Sequence, residues 1–228
     1  MRLIDTHSHL FLEEFSEDFP QVIERARAAG VTHIFMPNID STTIEAMLSA
    51  CSVYKGYCFP MIGLHPTSVN ANYEKELEIV ARELKFSKEY VAIGEIGMDL
   101  YWDKTYLKEQ QIVLDKQVNW ALEYDLPIVI HCRDAFDYIY KVLEPYKKTP
   151  LRGIFHSFTG TAEEATRVLE FSDFFIGING VVTFKKSHLP EILAGIPLGK
   201  IVLETDSPYL TPVPNRGKRN ESAYVKDT

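Results

Sequence analysis

Pro127-Ile128-Val129-Ile130-His131-Cys132-Arg133 is a short apolar run that ends in ligand-type side chains. Three successive β-branched residues favour a strand. Apolar character on both alternating faces means cover on both sides, as in a parallel sheet. Seven other segments read the same way: Leu3–His7, Thr32–Pro37, Phe59–Leu64, Val91–Ile96, Gly153–His156, Phe174–Ile178 and Ile201–Glu204. The eight runs recur about every 28 residues, the length of one strand-plus-helix unit.

Amphipathic patterns with apolar residues at i, i+3, i+4 and i+7 fill the intervals. Ile44, Met47, Leu48 and Cys51 form one stripe, with Ser41 as the expected N-cap. Leu77, Val80, Ala81 and Leu84 form a second, and Ile139, Val142, Leu143 and Tyr146 a third. Ala162, Ala165, Val168 and Leu169 form another after Thr161. Such stripes are packing surfaces and carry no functional weight. Eight units predict a closed (β/α)8 barrel of the TIM type, a single domain over residues 1–228, rather than an open doubly wound sheet. The eighth unit is incomplete. The 22 residues after Asp206 contain Pro208, Pro212, Pro214 and Gly217 and read as loop with one turn of helix, so the helix after strand eight is expected to be truncated or missing.

Composition narrows the function classes. A hydrophobic fraction of 46% and a charged fraction of 25% describe an ordinary globular chain. No apolar run reaches the roughly 18 residues a membrane span needs. Asp5 interrupts the apolar stretch a secretory signal would require, and Cys51, Cys58 and Cys132 show neither CxxC nor paired spacing, so a cytoplasmic location is expected. A net charge of −8 argues against a non-specific nucleic-acid coat but not against local grip on phosphate.

The polar residues fall where a barrel places its chemistry. His7 and His9 end the first run, Glu95 lies on the fourth, His131 ends the fifth, His156 the sixth, and Asp206 follows the eighth. Active sites of such barrels gather at the C-terminal ends of the strands, and residues two apart share a face, so His7 and His9 point the same way. Four imidazoles and two carboxylates exceed one tetrahedral zinc, which takes about four ligands. They suit two divalent ions about 3.5–4 Å apart. With Glu95, Asp206 and a bridging hydroxide counted against the ions, this site would keep a small positive charge suited to a phosphate.

The segments Ile4-Asp5-Thr6-His7-Ser8-His9, Gly63-Leu64-His65-Pro66, Gly94-Glu95-Ile96-Gly97-Met98-Asp99, Pro127 to Arg133, His156-Ser157-Phe158-Thr159-Gly160 and Leu203-Glu204-Thr205-Asp206-Ser207-Pro208 resemble, in order, the signature segments of TatD-type DNases. The resemblance runs from residue 2 to about residue 225. It implies an amidohydrolase-like barrel that hydrolyses DNA with divalent metal, often as a 3′→5′ exonuclease. It also implies His7, His9, Glu95, His131, His156 and Asp206 as ligands with Glu95 bridging, and a substrate or leaving-group contact for His65. Mg²⁺ or Mn²⁺ would support activity, and Zn²⁺ also suits such donors. Two departures stand out: Phe11 occupies a position that is often Asp or Asn in relatives, and the family's final helix is not reached.

Other residues complete the expectation. Arg133 shares the parity of His131 and would fork a phosphate, unless it pairs with Asp134 or Asp137. Glu204, one layer below Asp206, would orient a ligand histidine. Lys104, Lys185, Lys186, Arg216, Lys218 and Arg219 would rim the mouth, and Tyr101 and Trp102 would stack on bases or pack as a lid. Asp206 would orient the attacking metal-bridging hydroxide and take its proton, with Glu95, His65 and Arg133 as the other catalytic groups. The expected substrate is DNA, with RNA as the second candidate. Two alternatives remain at this point: a small-molecule amidohydrolase or lactonase using the same metals, and a truncated, non-catalytic nucleic-acid-binding barrel.

Overall fold

The computed structural model describes residues 2–228. All eight apolar runs form strands: β1 (Leu3–Asp5), β2 (Val31–Pro37), β3 (Cys58–Met61), β4 (Ile93–Asp99), β5 (Ile128–Arg133), β6 (Gly153–Phe155), β7 (Phe174–Ile178) and β8 (Ile201–Leu203). Every pairing is parallel, in two sheets ordered β1-β2-β3 and β4-β5-β6-β7-β8. Backbone bonds join the sheets at both seams. Ile62, just past β3, bonds both sides of Ile93 on β4 (Ile62 N to Ala92 O, 3.1 Å; Gly94 N to Ile62 O, 2.9 Å). Thr6 N donates to Leu203 O at 3.1 Å, Asp206 N to His7 O at 2.9 Å and His9 N to Ser207 O at 2.8 Å. The strands thus circle in sequence order as a TIM-type barrel, with helices α1 (Phe19–Ala28), α2 (Ile44–Val53), α3 (Tyr73–Phe86), α4 (Leu107–Glu123), α5 (Phe136–Leu143), α6 (Ala162–Leu169) and α7 (Leu189–Leu193) following β1 to β7.

Local chemistry explains most boundaries. Thr161 caps α6 with its side chain on Glu164 N, while the Glu164 carboxylate returns a bond to Thr161 N, a reciprocal capping box. Ser41 does not cap α2; its hydroxyl and amide both bond Glu76 on α3, and the helix begins at Ile44 behind Thr43. Between β4 and β5 a glycine permits close strand approach. Gly97 has φ +137°, and a Cβ there would lie 2.0 Å from the His131 carbonyl oxygen of β5.

Strand β4 runs three residues beyond the expected end at Ile96. Past β8 the chain forms loop and one 3-10 helix, Ser222–Asp227, and no α-helix follows β8 among the described residues. This segment folds back on α1 and β1, and Val225 is fully buried in the main core. On the neighbouring strands, Leu3 of β1 is buried and Val202 of β8 half-buried, while Ile4 of β1 stays 44% exposed. Among the described residues no helix is long and apolar enough to cross a membrane.

Candidate metal centre at the mouth of the barrel

Glu95 is the hub. Its Oε1 lies 2.9 Å from His156 Nε2, 3.0 Å from His131 Nδ1 and 3.3 Å from His65 Nε2. Its Oε2 lies 3.1 Å from His7 Nε2 and 3.5 Å from His9 Nε2. Asp206 faces the same two rings, with Oδ1 3.7 Å from His7 and 3.6 Å from His9. All six expected ligands therefore meet in one place, and His65 joins them. The strand ends dictate this: the chain just past β1, which carries His7 and His9, is held between β2 and the β8 exit by Ser8 N to Phe35 O and His9 N to Ser207 O. Asp206 takes φ +57°, a left-handed turn that Asp tolerates better than most side chains.

The donor set fits divalent cations. A carboxylate offers roughly four lone-pair positions, yet five imidazoles crowd Glu95, and His7 Nε2 and His9 Nε2 face each other at 3.2 Å. The Nδ1 atoms of His7, His9 and His156 are buried without a hydrogen bond among the described residues. Three overlapping groups have ligand atoms close enough for an ion: His7, His9 and Glu95; His7, His156 and Asp206; His65, Glu95 and His131.

Electrostatics agree. Burial pushes the Glu95 carboxyl up, but the imidazoles, His156 foremost, more than reverse this and hold it well below its ordinary 4.5. Burial lowers His9, yet bonds to Asp206 and Glu95 lift it to about 9. Burial dominates at His7 and lowers it. For His156, burial is again outweighed, here by Glu95 and then Glu204, and the ring is raised well above 6.5. The carboxylates thus draw His9 and His156 toward the charged form, while burial keeps His7 from it.

Asp99 was missed by the sequence reading. Its Oδ2 lies 2.9 Å from His131 Nε2, so both ring nitrogens of His131 touch carboxylates. The signal was parity, since residues 95, 97 and 99 share one strand face, but the strand was ended too early. Glu204 is fully buried, accepts from Ser157 N at 2.5 Å, and brings Oε1 to 3.3 Å from His156 Nδ1, outside hydrogen-bonding geometry. Asp99 and Glu204 enlarge the anionic side of the earlier charge count. Four carboxylates now surround the rings, and two divalent ions would neutralise them.

His65 differs from the other rings. Its Nδ1 accepts from Thr67 N at 3.1 Å and lies 2.7 Å from Thr67 Oγ1. Accepting at Nδ1 leaves the ring proton on Nε2. Burial lowers the pKa, which keeps the ring neutral near pH 7. His65 Nε2 is therefore a donor aimed at oxygen.

The cavity over these residues is about 720 Å³ and includes Trp102, Arg133, Ser157 and Tyr209. Among the described residues, Arg133 is the only lysine or arginine on its wall. It pairs with neither Asp134 nor Asp137, the latter being taken by Arg167; its guanidinium instead lies 3.8 Å over the Tyr101 ring. The expected basic rim is reduced. Arg219 bonds Asp18 and the Glu14 carbonyl, and Arg216 bonds the Thr211 carbonyl while stacking on Phe184. Phe11 packs edge-on to His9, with ring centroids 5.8 Å apart. Cys132 borders the cavity, and burial pushes its thiol up to about 12, which keeps it unreactive.

Comparison with known proteins gives one consistent result. The family model described as TatD related DNase matches residues 4–228. An uncharacterized metal-dependent hydrolase, YabD of Bacillus subtilis, is 39% identical over 98% of this chain and 87% of its own length. A protein of Pantoea ananatis named 3′-5′ ssDNA/RNA exonuclease TatD is 31% identical, with the same two coverages of 98% and 87%. Among solved structures, the TatD homologue YjjV of Escherichia coli superimposes with a TM-score of 0.91 at 30% identity, over 98% of this chain and 86% of that one.

Proposed function

Because the chain belongs to the TatD-related DNase family, and is thus a metal-dependent hydrolase and not a non-catalytic barrel, we propose that it is a 3′→5′ exonuclease acting on single-stranded DNA, with RNA as a second substrate, working as a single unit. The name carried by the Pantoea relative supports the polarity and the strand preference. The observation that carries the phosphodiester reading is Arg133, a permanent cation on the wall of the cavity that holds the histidine–carboxylate cluster. A planar guanidinium suits the paired oxygens of a phosphate better than a lone carbonyl.

On this reading His7, His9, Glu95, His131, His156 and Asp206 would hold two divalent ions, Mg²⁺ or Mn²⁺ in the active enzyme, with Glu95 shared. When bound, such ions lower the pKa of water and offset phosphate charge. The protein's own groups do the rest. Arg133 binds and orients the non-bridging oxygens. Asp206, whose side chain is 15% exposed against 3% for Glu95, is the carboxylate that solvent can reach. Burial pushes it up, but the His9 bond and the neighbouring rings hold it below 3.8, so it is ionised and takes the proton of the attacking water. The Nε2–H of His65 donates to the oxygen that leaves phosphorus. Asp99 holds the ring of His131, and Glu204 stands behind that of His156.

Digestion of 5′- and 3′-labelled single-stranded DNA, with RNA alongside, tests the proposal. Shortening from the 3′ end should stop with a chelator and return with Mg²⁺ or Mn²⁺. Glu95→Ala should lose the paired ions on metal analysis. Failure to cleave any phosphodiester with any divalent metal would sink the reading.

A further inference from the structure

We propose that Trp102, backed by Tyr101 and Arg133, is a stacking platform for one nucleobase of a single-stranded nucleic acid, set beside the metal-competent cavity. The inference rests on the nucleolytic reading above and adds to it the element that recognises an unpaired base.

Both aromatic rings lie on the loop between β4 and α4 and are strongly exposed, Trp102 to 72% and Tyr101 to 53%. Neither is spent on core packing, and Trp102 lines the cavity itself. The rings meet edge to face, centroids 4.9 Å apart at 88°. The Arg133 guanidinium carbon lies over Tyr101, 3.8 Å from its centroid and 5.2 Å from that of Trp102. A cation held over an aromatic ring still has N–H donors to offer, and Arg133 makes no side-chain hydrogen bond or ion pair among the described residues. One group can thus grip a phosphate while its neighbour presents a π-face.

The loop is also tied to the cluster. Asp99 Oδ1 accepts from Tyr101 N at 3.0 Å while its Oδ2 sits 2.9 Å from His131 Nε2. Gln110 on α4 clamps the Asp99 backbone from both sides, accepting from its N–H at 2.9 Å and donating to its carbonyl at 3.1 Å. Exposed aromatics on a pinned loop, beside a free guanidinium, are the parts of a single-strand site: stacking serves every base, and a paired base in a duplex does not offer its face.

The test compares protein and ligand changes together. Affinity is measured for cleavage-resistant phosphorothioate single strands, with Mg²⁺ present, that are intact or carry an abasic sugar at each of the last few 3′ positions. The wild type should lose about tenfold affinity at one abasic position, the scale of one stacked base. Trp102→Ala should show no such difference, and Trp102→Phe should recover most of it. The chain has two tryptophans, so in Trp120→Phe the emission of Trp102 alone should be quenched by the intact strand. If Trp102→Ala keeps the intact-to-abasic ratio, or saturating strand leaves that emission unchanged, the platform is wrong while the nuclease can stand. If the wild type neither binds nor cleaves single strands, the nucleolytic reading falls and takes the platform with it.

Discussion

His65 and Asp206 face one cavity but hold their protons in opposite ways. The Thr67 amide fixes the His65 proton on Nε2, whereas Asp206 is kept ionised by His9. Asp206→Asn keeps shape and tolerates the left-handed backbone at φ +57° but cannot take a proton. Its kcat should fall by about 10²–10⁴, the range for a lost general base, with strand affinity nearly unchanged. For His65→Ala a fall of about 10²–10³ is expected, as for loss of one donor to a developing oxyanion, and His65→Gln should recover part of it through its amide N–H. Metal analysis separates this role from ligation: a His65→Ala protein that binds one ion fewer would make His65 a ligand. These residues were legible because each needed only a strand end and a parity. The His65 tautomer was not, since it depends on a turn two residues on that no periodicity reveals.

Strands β6, β7 and β8 meet around Glu204, and the fit is made by a missing side chain. A Cβ at Gly177 on β7 would lie 2.5 Å from Glu204 Oε2 and 3.1 Å from the His156 Cα. The carboxylate thereby reaches Ser157 N and stands behind His156. Partners that orient ligand histidines typically change metal affinity by about 10–100-fold when lost. Glu204→Gln should therefore weaken retention of the ions by that factor in a chelator competition while circular dichroism stays native, and Gly177→Ala should do the same by displacing the carboxylate. Unchanged ion retention in both would reduce Glu204 to a support for the Ser157 turn. At this scale all eight strands could be found from apolar runs, because a strand covered on both faces writes its burial directly into sequence. Strand ends were harder. Gly94 and Gly97 weaken the β signal of β4, which hid the last three residues of the strand and with them Asp99.

Across the whole molecule, the fold-back of the C-terminal segment was the least legible feature, because its partners lie about two hundred positions away. Arg25 on α1 grips Glu221 through Nε at 2.8 Å and Nη2 at 2.6 Å. Asp18 receives Arg25 Nη2 at 3.0 Å and Arg219 Nη2 at 2.8 Å. Asn220 donates to the carbonyls of Thr205 and Tyr209 at 2.8 and 2.6 Å, which carries the clasp to the loop of Asp206. The sequence supplied the charges but no local pattern to pair them. The clasp should respond to acid in a definite direction. The Arg219 bond is the largest influence on Asp18 and holds its carboxyl below the ordinary 3.8. A depressed carboxyl binds its proton less readily in the folded chain than in the unfolded one. Its stabilisation is therefore present in full above 3.8 and is lost as pH falls through the lower folded value. Asp18 is partly exposed, so the pairing is worth about 0.5–1 kcal/mol, or a Tm change of about 2 °C in a chain of this size. Asp18→Asn should melt lower than the wild type by about that amount at pH 7, and the two curves should converge as the solution is taken well below pH 3.8. A difference that persists undiminished into acid would show that Asp18 acts through packing or neutral hydrogen bonds, and the ionic clasp would be refuted.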